Sequence, residues 1–389
     1  MKKTIMSLTL ALFTLGSQAQ ESKQELEACI FEGMVTGVPD RSIIAIFDQE
    51  GKFGMGAYPD SVMNQRFRFE YSPKTLTQHF AIELKDFSSL PLKVYAYPGS
   101  KTTITGDGVF CYFWKAENDN PLQKELNEYI EFEKTKFPEK CELLRKIFML
   151  RTKANVADLP NEEKERLRKD EDSLRVLMSG FDSDYVEVML GFMKGRECNE
   201  IWLDYLYDLA YRVAASGDVV QKEKVRKLYE TIPSELRDLG NAIEVKNIVY
   251  PPNVLKIGDQ MADFTLYDLE GNEHRLSEVK DKITILEFCS NGCGPCYFMR
   301  PQLEEFVKNY AEKVELITIS MDAKNVWLRQ VWGKTSWSEW NDYKDAADIR
   351  AKYGVECLPT FIFISPDKKI IAKCDNRDFF EMVDKYIAK

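Results

Sequence analysis

From Leu255 to Lys389 the apolar positions fall into blocks whose period changes along the chain. Ile283 to Phe288 (ITILEF) is a β-branched, apolar run of the kind that forms a buried strand, and from Tyr297 onward (YFMRPQLEEFVKNYAEK) the apolar residues recur at helical spacing. Val314 to Met321 (VELITISM) predicts a second strand and Asp345 to Tyr353 a helix. Thr360 to Ser365 (TFIFIS) and Lys369 to Cys374 (KIIAKC) predict two further strands, followed by a final helix. Strands interleaved with helices predict an α/β domain with a mixed central sheet.

Upstream the pattern is different. Between about Ala28 and Trp114, RFRFEY (Arg66 to Tyr71) and HFAIEL (His79 to Leu84) alternate polar and apolar residues, and PLKVYAY runs into the turn residues Pro98-Gly99. A small β-rich domain is expected over residues 24–115. Leu126/Ile130, Leu143/Ile147 and Trp202/Leu206/Leu209 then fall at helical spacings, which predicts a helical region over residues 119–247. The aromatic series Trp202, Tyr205, Tyr207 and Tyr211 reads as core in preference to a recognition surface, and Asn161 to Ser173 as a solvated helix face or loop. Tyr250-Pro251-Pro252-Asn253 breaks the last helix and sets the C-terminal domain at residues 254–389.

Composition narrows the chemistry. A net charge of −10 argues against nucleic-acid binding, and two histidines, His79 and His274, leave little room for histidine metal sites or Ser/His/Asp catalysis. Both are expected to be exposed polar residues. No metal or cofactor is indicated. The N-terminus carries Lys2 and Lys3, an apolar stretch from Ile5 to Leu15, and then Ser17-Gln18-Ala19, the layout of a secretory signal peptide over residues 1–19. That stretch is too short to span a membrane, so a soluble protein of the periplasm or cell envelope is expected after cleavage.

Cys293-Gly294-Pro295-Cys296 lies at the junction between the ITILEF strand and the helix that follows it. Two thiols at this spacing can cycle between dithiol and disulfide. The unpaired N–H groups and dipole of a helix start favour negative charge, so Cys293 is expected to be the thiolate, its pKa drawn from roughly 8.5 into the range of about 3.5 to 7.5. Cys296, three residues on, is placed to attack a mixed disulfide at Cys293. Pro295 presets the helical φ in the first turn.

With its order of strands, Cys293-Gly294-Pro295-Cys296 and the later Gly354-Val355-Glu356-Cys357-Leu358-Pro359-Thr360, the last third resembles the thioredoxin superfamily, and within it the exported TlpA-like branch. Ile257-Gly258-Asp259 and Asp268-Leu269-Glu270-Gly271 resemble that branch's entry segment. The resemblance implies that Pro359 is a cis-proline lying against the cysteines, with adjacent backbone able to pair with an extended substrate; an ordinary loop proline is the alternative. It also implies that Glu287, six residues before Cys293, is a buried acid serving as the base for Cys296, the alternative being a strand-end glutamate that reaches solvent. Pro301 matches the family's helix kink. Departures are the approach Phe288-Cys289-Ser290-Asn291-Gly292, where the family has aromatic residues, and Met299, where the branch tends to carry an acid. The N-terminal region, through Asp60-Ser61-Val62 and Ile104-Thr105-Gly106-Asp107 among others, loosely resembles a small β domain that precedes thioredoxin-like domains in envelope proteins of the Bacteroides type.

These readings converge on an envelope thiol-disulfide oxidoreductase that reduces disulfide-containing envelope proteins and is reset by a membrane thiol electron donor. Two alternatives stand beside it: a thiol peroxidase, for which Ser290 replaces the Thr of a Thr-x-x-Cys pattern, and a binding or scaffold protein whose thioredoxin-like domain serves docking. Cys289 and Cys357 are extra thiols near the motif, expected to pack or lie exposed in preference to forming another disulfide.

Overall fold

The alternating residues of the N-terminal region pair as strands. The computed structural model describes residues 26–48, 55–73, 78–156, 158–279, 282–329 and 333–388, so the expected signal peptide lies outside the described residues. Strands β1 (Cys29–Thr36), β2 (Ile43–Asp48), β3 (Met55–Ser61), β4 (Arg66–Tyr71), β5 (Gln78–Leu84), β6 (Leu92–Ala96), β7 (Lys101–Asp107) and β8 (Lys115–Glu117) form two four-stranded sheets, β4-β1-β7-β8 and β3-β2-β5-β6. Phe31, Phe69 and Ile104 of the first sheet share one core with Ile46, Phe80 and Ile82 of the second. Face-to-face burial of alternate residues thus makes this region a small β sandwich.

In β5 the alternation is present, yet its outer face is not solvated. Ala81 is buried and His79 stacks on Tyr95 with ring centroids 4.7 Å apart, because Tyr95 belongs to the core of the helical region. The expectation of exposed histidines is therefore corrected at both positions. His274 stacks on Trp340 with centroids 4.8 Å apart and pairs with Asp268 at 2.9 Å.

The middle of the chain is helical: α1 (Pro121–Lys136), α2 (Pro138–Ala154), α3 (Asn161–Ser179), α4 (Asp182–Met193), α5 (Glu200–Ser216), α6 (Val219–Glu230) and α7 (Gly240–Val249). Asn120, Asn199 and Asp218 cap α1, α5 and α6 by accepting backbone N–H groups of the first turn, which satisfies donors a helix start leaves open. In α5 Trp202 is buried and Tyr205 and Tyr207 are partly buried, whereas Tyr211 lies exposed at the end of that series. No described helix is long and apolar enough to cross a membrane.

Beyond Tyr250 come β9 (Thr265–Tyr267), β10 (Glu273–Arg275), β11 (Ile283–Cys289), α8 (Gly294–Tyr310), β12 (Val314–Ser320), α9 (Lys324–Trp327), β13 (Ser338–Trp340), α10 (Ala347–Tyr353), β14 (Thr360–Ile364), β15 (Ile370–Asp375) and α11 (Phe379–Tyr386). The five-stranded sheet has the order β13-β12-β11-β14-β15, with β11, β12 and β13 parallel, β14 antiparallel to β11, and β15 antiparallel to β14. Both faces are covered. Ile285, Leu316, Phe361 and Phe363 meet α8 and α11, while Leu286, Phe288, Ile317 and Ile362 meet α10. This accounts for the continuous apolar runs in the sequence, since a strand buried on two faces has no polar alternation to show.

Candidate redox site

The site is built where the central strand β11 ends and α8 begins. A turn closed by the Cys293 N–H donating to the Ser290 carbonyl at 2.9 Å brings Cys293 to the N-cap position. Its Sγ accepts the Cys296 backbone N–H at 3.1 Å. The amide that would hold a thiolate is therefore already aimed at this sulfur, and Gly294 and Pro295 form the first helical positions. The two cysteines are joined by a disulfide with Cα atoms 5.2 Å apart. Cys293 keeps 7 % of its surface and Cys296 none, so an incoming thiol or disulfide meets Cys293 first.

The loop before β14 completes the site from the opposite side. The Leu358–Pro359 peptide bond is cis, and the Thr360 hydroxyl donates to the Cys357 carbonyl at 2.7 Å. Leu358 packs against Cys289, Cys293 and Cys296. Pro359 thus adjoins the pair through its neighbour although 66 residues separate it from Cys293 in the chain (359 − 293). Cys289 is buried and Cys357 exposed, and both carry free thiols. Burial, reinforced by the carboxylates of Glu287 and Asp322, pushes the Cys289 thiol well above the ordinary range, which keeps it protonated.

Glu287 sits in the middle of β11 on the face turned to α8, in the same row as Ile285 and Cys289. It is 2 % exposed, so the alternative of a strand-end glutamate reaching solvent does not describe it. Burial pushes its carboxyl up to about 7, against the opposing pull of the Thr318 hydroxyl and the Arg300 guanidinium, while Glu339 adds to the rise. Thr318 donates to Oε2 at 2.5 Å, and Oε1 has no protein partner. A buried carboxyl poised near neutrality on the strand that leads into the cysteine motif can exchange a proton at physiological pH.

Thr318, Arg300, Glu339 and Asp322 are not marked as site residues by any motif in the sequence. Thr318 had a usable signal, being a polar residue on the inward face of an apolar strand, as Glu287 is. Arg300 lies four residues after Cys296 and so on the same helix face. Glu339 had none, because its strand is three residues long. Met299, where the TlpA-like branch tends to have an acid, is buried in the apolar core against β11.

Residues 257–373 match the AhpC/TSA family. The thiol-disulfide oxidoreductase ResA of Bacillus thuringiensis subsp. konkukian is 28 % identical over 136 residues, covering 35 % of this chain and 79 % of that protein. The thioredoxin-like protein YneN of Bacillus subtilis is 29 % identical over 116 residues, covering 29 % of this chain and 68 % of that one. Among solved structures, the thioredoxin domain of a thiol-disulfide oxidoreductase from Bacteroides vulgatus is 25 % identical, with a TM-score of 0.32, covering 34 % of this chain and 99 % of that one. The mixed sheet, the helix-capping Cys293 and the family match lead to one assignment: the C-terminal third of this chain is a thioredoxin-like domain of the AhpC/TSA family.

Proposed function

We propose that the protein is a thiol-disulfide oxidoreductase of the cell envelope that reduces disulfides in other envelope proteins through Cys293 and Cys296, with a membrane thiol donor restoring the dithiol. The observation that carries this reading is the Cys293 sulfur at the start of α8, accepting a backbone N–H, bonded to Cys296 and the more accessible of the two. In the reduced form the Cys293 thiolate attacks a substrate disulfide, forming a mixed disulfide and expelling one substrate thiolate. Cys296 then loses its proton to Glu287 and attacks the Cys293 sulfur. This closes the Cys293–Cys296 bond and expels the second substrate thiolate, so two electrons pass from the pair to the substrate. In this reading Pro359 and its neighbours form the edge against which an extended substrate lies.

The environment of Ser290 favours this cycle over a peroxidase. Its hydroxyl accepts the Gly292 N–H at 3.2 Å and bonds Asp322, so it is engaged in the loop. Within this reading the chain divides into the signal peptide, a β-rich unit over residues 24–115, a helical unit over 119–247 and the redox domain over 254–389. The test is reduction of insulin disulfides by a dithiol-fed protein. Wild type accelerates it, and Cys293→Ser abolishes the acceleration. Equal rates for the two proteins would return the chain to the class of docking or scaffold proteins.

A further inference from the structure

Glu287, Thr318 and Glu339 stand side by side in register across three adjacent strands, Glu287 opposite Thr318 and Thr318 opposite Glu339. All three lie on the face that meets α8, so a polar row crosses an otherwise apolar layer from the central strand to the sheet edge at β13. Arg300 of α8 meets the outer end, its guanidinium 3.2 Å from Glu339. Trp337 Nε1 donates to the Thr318 hydroxyl at 2.9 Å, which turns that hydroxyl's own proton toward Glu287.

Two spaces adjoin this row. A small, partly open pocket of about 20 Å³ is lined by Cys289, Arg300, Thr318, Asp322 and Glu339 among others, and Asp322 is 2 % exposed with Oδ1 lacking a protein partner. One water needs roughly 10–15 Å³ of such space and about two to four polar partners, so the pocket is suited to hold one. On the other side of Glu339 a surface cleft of about 270 Å³ is lined by Asp268, His274, Lys334, Trp337 and Glu339. Glu339 lines both spaces.

We propose that Glu339 is the outlet of a proton path joining buried Glu287 to solvent at the edge of the sheet, by way of the Thr318 hydroxyl and the small pocket beside it and away from the face where substrate is bound. The inference rests on the reading of Glu287 as the base for Cys296. A substrate held in mixed disulfide with Cys293 covers the front of the site, so the proton taken from Cys296 needs another exit. The groups that act on Glu287 are Thr318 from β12, Arg300 from α8 and Glu339 from β13, with Cys289 beside it on its own strand and Phe361 opposite it on β14. Of these, Glu339 alone is both a carboxylate and a wall of the open cleft. It acts through Glu287 and is a positioning residue.

The experiment follows reaction of the reduced protein with a nitrobenzoate disulfide, whose coloured thiolate stays ionised near neutrality, so closing the Cys293–Cys296 bond releases one net proton. Stopped flow in weak buffer records thiolate by colour and proton by an indicator dye. In wild type the two signals keep pace. In Glu339→Gln the proton signal is expected to lag by roughly tenfold, less than the roughly 10²-fold or more lost with a positioned base. Formate, small enough for the cleft, should shorten the lag, and Glu339→Asp should show little of it. A Glu339→Gln protein without lag, beside a Glu287→Gln protein that resolves slowly, overturns the outlet and leaves the base intact. A lag that formate does not shorten and that Glu339→Asp shares also overturns it, since Glu339 then only holds Arg300 in place. Wild-type resolution in Glu287→Gln removes the base itself and the outlet with it. If Glu339→Gln does not fold, Thr318→Val takes its place, and coincident signals there overturn the path.

Discussion

At the scale of single residues, the two cysteines and the cis-proline were legible because covalent chemistry and backbone constraint leave short, local signatures. Glu287 was legible only by its offset from Cys293, since one charged letter in an apolar strand looks the same whether it is buried or at a frayed end. Its environment makes two linked predictions. Replacing it with Gln should slow closure of the Cys293–Cys296 disulfide by roughly 10²-fold or more, with less effect on the first attack by Cys293, because only the second step takes a proton from Cys296. The second prediction concerns stability. Burial raises the Glu287 carboxyl from 4.5 to about 7, so between those values the folded protein holds a proton that the unfolded chain has lost. Stability from this group is full below pH of about 4.5, falls as pH rises toward about 7, and is level beyond, by on the order of 3 kcal/mol. Glu287→Gln has no such slope, so the variant should gain on wild type by that order between about pH 4.5 and 8 in urea unfolding of the oxidised form. A difference that is the same at both pH values contradicts a carboxyl that stays protonated to neutrality.

At the scale of elements, those with long apolar runs were readable and those created by pairing were not. β11, β12, β14 and β15 match their expected segments within a residue, whereas α8 begins inside the cysteine motif, at Gly294, and ends at Tyr310, three residues short of the expected segment. The three-residue strands β9, β10 and β13 carry no period of their own and exist because a neighbour offers hydrogen bonds. The helix expected from Asp345 starts at Ala347, because Asp345 and Ala346 take positive φ in a turn where Asp342 accepts the N–H groups of Lys344 and Ala346. In the sandwich, Gly106 entered as part of a loose family resemblance, and packing supplies its physical reason. A Cβ at this position in β7 would lie 2.2 Å from the ring of Trp114. That ring is 1 % exposed and donates Nε1 to the Gly108 carbonyl at 2.9 Å, so it has no free direction in which to yield. Gly106→Ala should therefore destabilise the sandwich by roughly 1–3 kcal/mol, the usual scale of overpacking. Thermal unfolding followed by tryptophan fluorescence reads the loss. An unchanged midpoint would show that the indole repacks without cost.

At the scale of the molecule, the chain was readable as three regions of different period, but the way they meet was not, because contacts between distant segments leave no local pattern. Phe110 of the β region packs with Ile147 and Phe148 of α2, and Lys93 reaches Asp204 of α5 at 3.4 Å. The redox domain in turn rests on α7. Lys246 pairs with Asp348 at 2.7 Å, the Asn247 amide donates to the Ala347 carbonyl at 3.2 Å, and Arg350 pairs with Glu244. The last of these differs from the others in kind. Glu244 is 5 % exposed, so its carboxylate is desolvated while Arg350 stays partly exposed, whereas Lys246 and Asp348 both remain in contact with water and contribute little. Removing one partner of a buried pair costs about 3–5 kcal/mol because the other charge stays behind, whereas replacing both by neutral groups of similar volume is often tolerated. Arg350→Ala should thus release the redox domain from α7 and loosen the already exposed Tyr250-Pro251-Pro252-Asn253 connection, read as faster proteolytic cleavage there and faster amide exchange along α7. Glu244→Gln combined with Arg350→Met should restore most of the protection. If Arg350→Ala is cleaved and exchanges at the wild-type rate, the ion pair does not hold the two regions together, and docking must rest on the remaining contacts between α7 and α10.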